Sequence, residues 1–356
     1  MAWELIEANL ALRELARGAS GLDVRSPGEF ARGSIHGFAN APILNDERRH
    51  LVGLAYKKQG QERAIELGHQ LVEPDREAMI QQWSTMLSAT HLPVVTCWRG
   101  GLRSKIAAEW LSQAGLSGVR VHGGYKKMRQ VLLEELSRSR DYLVVCGLTG
   151  SGKTCLLRDL PSVHVLDLEG AANHRGSAFG WHLRSPQPSQ QEFENRLGFA
   201  LFQSHGPVVA ENEGNLVGIC AVPEPLRVAL KPAKRVRLLA RLEERSFRIF
   251  QEYIEEPWSK YSREEVLKAM ESSLLRIKKS LGGLDLSQIL NQLHEAFQSN
   301  EPKFETHQGW IEALLKRYYD PKYNFSQKRD AFDVIFEGTF DEVRHFLQNY
   351  LGRGRA

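Results

Sequence analysis

The chain has 356 residues and a mass of 40.3 kDa, with 42% hydrophobic and 25% charged residues. That balance excludes a disordered, collagenous or fibrous chain, and the length accommodates about two to three domains with cores of their own. Basic residues number 47 and acidic ones 43, so the net charge of +4 suits a polyanionic partner without demanding one.

Residues 1–138 alternate short strands with helices. The head of the chain, residues 1–12, carries Glu4 and Glu7 and no basic stretch ahead of an apolar core, so it reads as no secretory leader. No run of about 18 apolar residues occurs, and no membrane span is expected. Residues 21–25 predict a strand broken at Ser26-Pro27-Gly28, and residues 61–83 have helical spacing interrupted near Gly68 and Pro74. Pro93-Val94-Val95-Thr96 predicts a buried parallel strand. A helix with Ile106, Ala107, Trp110 and Leu111 follows, then a strand at 119–121 and an amphipathic stretch over 125–136. This alternation predicts a parallel α/β sheet flanked by helices. The polar patch at 137–141 marks a junction, giving domains over 1–138 and 139–356. The pattern then restarts with a strand at 142–146, a helix over 153–160 and buried strands at 163–168 and 207–210. Between these strands, residues 170–191 predict a long loop of the functional kind. Helices are expected over 264–281, 285–297 and 310–319, then a strand at 332–336 and a helix over 341–351.

The four cysteines (Cys97, Cys146, Cys155, Cys220) include no C-x-x-C pair, which argues against a zinc ribbon or a dithiol, and a reducing cytoplasm is expected. Cys97 opens a loop, Trp98-Arg99-Gly100-Gly101-Leu102-Arg103, set between an apolar strand and a helix. Loop amides, a helix N-terminus and two arginines favour a thiolate and would bind an oxyanion such as phosphate, selenophosphate or thiosulfate. Cys97, Arg99 and Arg103 are thus the catalytic candidates; Trp98, Gly100, Gly101 and Leu102 complete the cradle. Asp23-Val24-Arg25-Ser26-Pro27-Gly28-Glu29-Phe30 and Gly33-Ser34-Ile35-His36-Gly37 resemble the opening signature of rhodanese domains, and Val121-His122-Gly123-Gly124-Tyr125 resembles their closing turn. Common sulfurtransferase rhodaneses place the loop arginine five positions after the cysteine. Here it is six, the spacing of rhodanese-fold phosphatases, which hold a larger group.

Gly147-Leu148-Thr149-Gly150-Ser151-Gly152-Lys153-Thr154 fits the P-loop pattern after a strand and at a helix start. Gly147, Gly150, Ser151 and Gly152 would wrap a phosphate, Lys153 would reach it, and Thr154 would hold Mg²⁺. An acidic partner for that ion could be Asp167, Glu211 or Glu213. The phosphate itself could belong to a nucleotide, an isoprenoid diphosphate or a nucleic acid. Residues 226–248 carry eight basic residues against Glu243 and Glu244. Of these, Arg227, Lys231, Lys234, Arg235, Arg237 and Arg241 are candidates for contact with a nucleic-acid backbone. Tyr318, Tyr319 and Tyr323 are candidates for stacking on bases. The histidines His164, His174 and His182 lack metal-ligand spacing.

The cysteine loop, the P-loop, Leu166-Asp167-Leu168-Glu169-Gly170 with Asn173-His174-Arg175-Gly176-Ser177, and Gly53-Leu54-Ala55-Tyr56-Lys57-Lys58-Gln59-Gly60 together resemble the bacterial tRNA 2-selenouridine synthase family over nearly the whole chain. The resemblance implies a rhodanese-like domain fused to a P-loop α/β domain with a helical extension. It implies a tRNA-modifying transferase that replaces sulfur by selenium at wobble 2-thiouridine, through an S-geranylated intermediate. The substrates would be selenophosphate and geranyl diphosphate, with no tightly bound cofactor. Cys97 would carry selenium as a selenyl-sulfide, and the P-loop would take a diphosphate or a tRNA phosphate. The alternative is a rhodanese-type sulfurtransferase or phosphatase with a regulatory nucleotide site.

Overall fold

Short apolar runs in the N-terminal part become the strands of one parallel sheet. β1 (Glu4–Ile6), β2 (Gly21–Asp23), β3 (Phe38–Asn40), β4 (Val94–Thr96) and β5 (Val119–Val121) lie in the order β1-β5-β4-β2-β3. β4 is central and buried throughout, so it reads as a run of β-branched residues without polar alternation. Its successive side chains point to opposite faces. Val94 packs with Leu12, Met128 and Leu132, whereas Val95 packs with Trp83, Trp110 and Leu111. The flanking helices are α1 (Ala8–Ala16), α2 (Pro27–Ala31), α3 (Asp46–Gln59), α4 (Gln61–Val72), α5 (Arg76–Leu87), α6 (Leu102–Gln113) and α7 (Gly124–Ser137).

The computed structural model describes residues 3–329 and 333–353. The chain forms two units, Met1–Arg138 with Ser189–Gln203, and Ser139–Pro188 with Ser204–Ala356. In the second unit, β6 (Tyr142–Cys146) leads into α8 (Lys153–Arg158), β7 (Val165–Leu166) and α9 (Leu168–Ala171). Its parallel sheet also holds β8 (Val208–Glu211), while β9 (Leu216–Val217) pairs with β10 (Cys220–Ala221) in an antiparallel ribbon. With β11 (Lys234–Leu238) and β12 (Val334–Gly338), the sheet order is β12-β11-β6-β8-β7. The strand expected at 332–336 starts on a residue outside those described, and the observed strand runs to Gly338. The strand expected at 163–168 shrinks to two residues because a helical turn, Ser162–His164, occupies its start.

A continuous domain over 139–356 is not what forms. α10 (Gln190–Gln203) packs in the first unit, on α7. Gly198 allows the approach, since a Cβ there would collide with the Leu132 carbonyl. The buried Asn195 donates to Ser34 O at 2.7 Å and to the Tyr125 hydroxyl at 2.9 Å. The last part of the second unit is helical. Helices Arg263–Arg276, Gly283–Ala296 and Phe304–Leu314 close over Leu274, Ile289, Leu293 and Trp310. Among the described residues no helix is long and apolar enough to cross a membrane.

Candidate active site

Cys97 follows β4 directly, and its loop is shaped by glycines. Gly100 (φ +66°) and Gly124 (φ +60°) have left-handed backbones. A Cβ on Gly100 would collide with Val121 O, and one on Gly124 with Cys97 O and Gly100 N. Tyr125 N–H donates to Cys97 O at 2.9 Å and Lys126 N–H to Trp98 O at 3.0 Å. The Trp98 ring stacks on Tyr125 with centroids 5.5 Å apart. Trp98, expected as a phosphate contact, therefore turns its side chain to holding the loop.

The Cys97 thiol is buried, 3% exposed, yet it has a polar neighbour. Sγ lies 3.4 Å from Ser104 Oγ, and the Ser104 hydroxyl donates to Gly101 O at 3.0 Å. When the thiol gives up its proton, that hydroxyl can turn and donate to the sulfur instead. Leu102, Arg103 and Ser104 form the first turn of α6, whose N–H groups have no partner inside the helix and suit an anion. Arg103 is bidentate to Glu29, at 2.7 and 3.3 Å, and Arg49 joins the same carboxylate at 3.1 Å. Burial pushes Glu29 up, but its bonds to Arg103 outweigh that and hold it below the usual carboxylate range. Arg99 is exposed on the loop. Behind the loop, Asp23 and Arg25 form a buried pair at 2.7 Å, with the Arg25 guanidinium 3.7 Å from the Tyr125 ring centroid. The Asp-Val-Arg signature thus braces the first unit from within.

The phosphate loop of the second unit joins β6 to α8. Gly150 (φ +79°) and Gly152 (φ +95°) turn the backbone into the ring. Arg245 Nε donates to Thr149 O at 2.8 Å, and Arg248 donates to Ser151 O at 3.1 Å, so α12 (Leu242–Phe250), the next helix after α11 (Glu224–Leu230), clamps the loop. Lys153 Nζ rests on Gly147 O at 3.1 Å. The buried Ser151 hydroxyl finds no partner among the described residues.

Beside the loop, carboxylates converge. Thr154 Oγ1 donates to Glu169 Oε2 at 2.8 Å, and Glu169 N–H donates to Glu211 Oε1 at 2.7 Å. Glu169, Glu211 and Glu213 each place an oxygen within 4.8 Å of the others. Glu211 is 1% exposed, and its Oε2 has no partner among the described residues. Burial, then repulsion from Glu169, raises Glu211 well above the carboxylate range, and the same causes push Glu213 up to about 8. Lys153 offsets part of this repulsion at Glu169 and Glu213 but does not cancel it, and the oxygen set with the Thr154 hydroxyl fits a hard divalent cation. Asp167 lies apart from the cluster: its carboxylate accepts from Gly170 N–H at 2.7 Å and caps α9.

The basic segment is not one face. Arg235 is buried, with its guanidinium on the carbonyls of Ala233, Leu230 and Lys231 at the end of α11, so it is no backbone contact for nucleic acid. Arg245 is buried against Asp320. Arg227, Lys231 and Lys234 are exposed, and Arg227 donates to Asn215 at 2.9 Å. Arg237 and Arg241 line a cavity of about 460 Å³ that also touches Gly147, Leu148 and Tyr323. Tyr318 is buried in the helical core, which removes it from stacking.

Sequence reasoning did not single out Ser104, Glu29 or Glu169. Ser104 had a signal, a hydroxyl in the first helical turn after the arginine. Glu169 and Glu29 meet their partners only through the tertiary fold.

A parallel α/β unit with a thiol at its strand-to-helix loop, carried with a P-loop unit, defines the class: a rhodanese-like P-loop protein. The family model described as the tRNA 2-selenouridine synthase AAA domain matches residues 140–353. A tRNA 2-selenouridine synthase of Marinobacter nauticus is 40% identical over 346 residues, covering 92% of this chain and 94% of its own length. That of Hydrogenovibrio crunogenus is 38% identical over 342 residues, covering 92% and 94%. The chain belongs to the tRNA 2-selenouridine synthase family, a family of enzymes. A solved rhodanese-related protein of Thermoplasma volcanium is 26% identical, covers 36% of this chain and 92% of its own, and superposes with a TM-score of 0.23.

Proposed function

We propose that this chain replaces the 2-sulfur of a tRNA wobble 2-thiouridine by selenium, using geranyl diphosphate and selenophosphate. The relatives' name supports the tRNA and the selenium; the chemistry of the sites supports the rest. In the first step the thiouridine sulfur attacks the geranyl carbon next to oxygen. A C–S bond forms, the C–O bond breaks, diphosphate leaves and the N3 proton is lost. An alkylated sulfur departs as a thiol far more readily than a thiocarbonyl sulfur does. In the second step the selenium of selenophosphate attacks C2; C–Se forms, C–S breaks and geranylthiol leaves with a proton.

The third step gives Cys97 its role. Selenium in selenophosphate is already as reduced as in selenouridine, so no redox partner is needed if it moves directly to C2. The selenyl-sulfide expected on Cys97 fails this balance, because thiolate attack at selenium would release phosphite and leave an oxidised selenium. Cys97 instead attacks phosphorus: S–P forms, P–Se breaks with selenouridine as the leaving group, and water then releases phosphate from the thiol. The six-position spacing and the Arg103–Glu29 pair suit a phosphoryl group between the loop amides. The contact of Cys97 Sγ with Ser104 Oγ, at the start of α6 and next to Arg103, is the observation that carries this reading.

The P-loop takes the diphosphate of the geranyl donor. Thr154, Glu169, Glu211 and Glu213 would hold a divalent cation, which when bound supplies positive charge against phosphate oxygens. Arg237 and Arg241 meet the tRNA backbone. The test is mass spectrometry of wobble nucleosides after incubation of thiolated tRNA with the chain, geranyl diphosphate and selenophosphate. S-geranyl and then seleno nucleosides are expected, and the appearance of neither would overturn the reading.

A further inference from the structure

Within the first unit, an apolar cavity of about 340 Å³ lies between α3, α4 and the start of α6. Its size falls in the range of about 300–1,000 Å³ typical of small-molecule pockets. Ile43, Val52, Ile65, Val72 and Ile106 line it, together with Leu102 and Arg103 of the cysteine loop. Ile43 and Val72 belong to the same buried cluster as Cys97, so the cavity and the thiol border one core. Arg103 is the one side chain of fixed charge lining it among the described residues. The same guanidinium belongs to the phosphate cradle.

Tyr56, Gln61 and His69 are the polar side chains of the lining besides Arg103, and the other residues named are hydrocarbon. A base, a ribose or a phosphate would leave polar groups unpaired along the Ile43, Val52, Ile65, Val72 and Ile106 wall, at a cost that only a hydrogen-bonding partner removes. One part of the chemistry is pure hydrocarbon: the ten-carbon isoprenoid. Since Arg103 belongs both to the cavity and to the cradle, a chain lying in the cavity brings its sulfur-bearing end to the loop where the phosphoryl group is held.

We propose that this cavity binds the geranyl chain of the S-geranyl wobble nucleoside while selenium displaces it. The assignment rests on the reading above. It gives the S-alkyl intermediate a binding site that unmodified thiouridine cannot use, and it holds the departing thiol away from water during the exchange. The α3–α4 hairpin then serves as a specificity element for chain length.

The test uses the full chain, selenophosphate, and tRNA whose wobble sulfur carries either a geranyl or a five-carbon dimethylallyl group. Wild type is expected to select the geranyl substrate by at least about tenfold in kcat/KM. Ile65→Trp, which puts an indole into the cavity, should lower that ratio at least about tenfold, mainly through KM. Ile65→Ala should shift the preference toward a fifteen-carbon farnesyl group. Because each ratio is taken on one protein, a general loss of folded enzyme cancels. Ratios unmoved in both variants would overturn the assignment while leaving the proposed function intact. A wild type that selenates neither substrate would remove the proposed function, and this assignment with it.

Discussion

The two loops solve one problem with opposite deficits. Each follows a buried parallel strand, uses left-handed glycines to turn its backbone, and opens a helix toward an anion. In the cysteine loop the charges are already matched, since Arg103 is held by Glu29 and the thiol has Ser104 beside it. In the phosphate loop they are not: Glu211 is buried with an unpartnered oxygen, and Glu213 is raised to about 8. The first site is built to act as it stands. On the proposed function, the second gains a cation and a phosphate before its charges balance.

Separating the loops by mutation is the sharpest way to test that contrast. Cys97→Ser should lower selenouridine formation by on the order of 10³-fold or more, while S-geranylation continues, as read by nucleoside mass spectrometry. Lys153→Ala should do the reverse, cutting S-geranylation about 10²-fold yet selenating tRNA already carrying the geranyl group. Equal loss of both steps in either variant would merge the two sites into one. Arg103→Lys removes a bidentate fork and should cost about 1.5–3 kcal/mol in the selenium step alone, roughly ten- to a hundredfold in kcat/KM.

The smallest effect concerns stability. Glu213 in the folded chain titrates at about 8 against an ordinary 4.5, so the folded state holds its proton more tightly. Its favourable contribution is complete below about pH 4.5 and is lost as pH rises through about 8. Without divalent cation, the thermal midpoint of the second unit should fall by a few degrees across that window. Glu213→Gln should flatten the fall, and added Mg²⁺ should offset it at the alkaline end. A midpoint that rises with pH in metal-free buffer would contradict the charge deficit.

Both loops were legible in the sequence because each is contiguous: glycines, a cationic residue and a strand-to-helix turn lie within eight residues or so of one another. What depends on convergence was not. Glu169, Glu211 and Glu213 come from separate segments, and only the fold brings their oxygens together. The residues of α10 advertise an apolar helical face but not its partner, and Gly198 meets Leu132 of the same unit, far earlier in the chain. Arg235 stands in a run of basic residues, yet strand geometry turns it back onto the carbonyls that end α11. A charge count over consecutive residues cannot see that inversion.

Cleavage of a phosphorus–selenium bond by Cys97 is the central proposed step, and the phosphorus product tests it most directly. With S-geranyl tRNA and selenophosphate, ³¹P NMR should show orthophosphate released in step with selenouridine, and Cys97→Ser should accumulate a tRNA nucleoside bearing both selenium and phosphorus. Phosphite in the wild-type reaction, or selenouridine formed at the wild-type rate by Cys97→Ser, would contradict it.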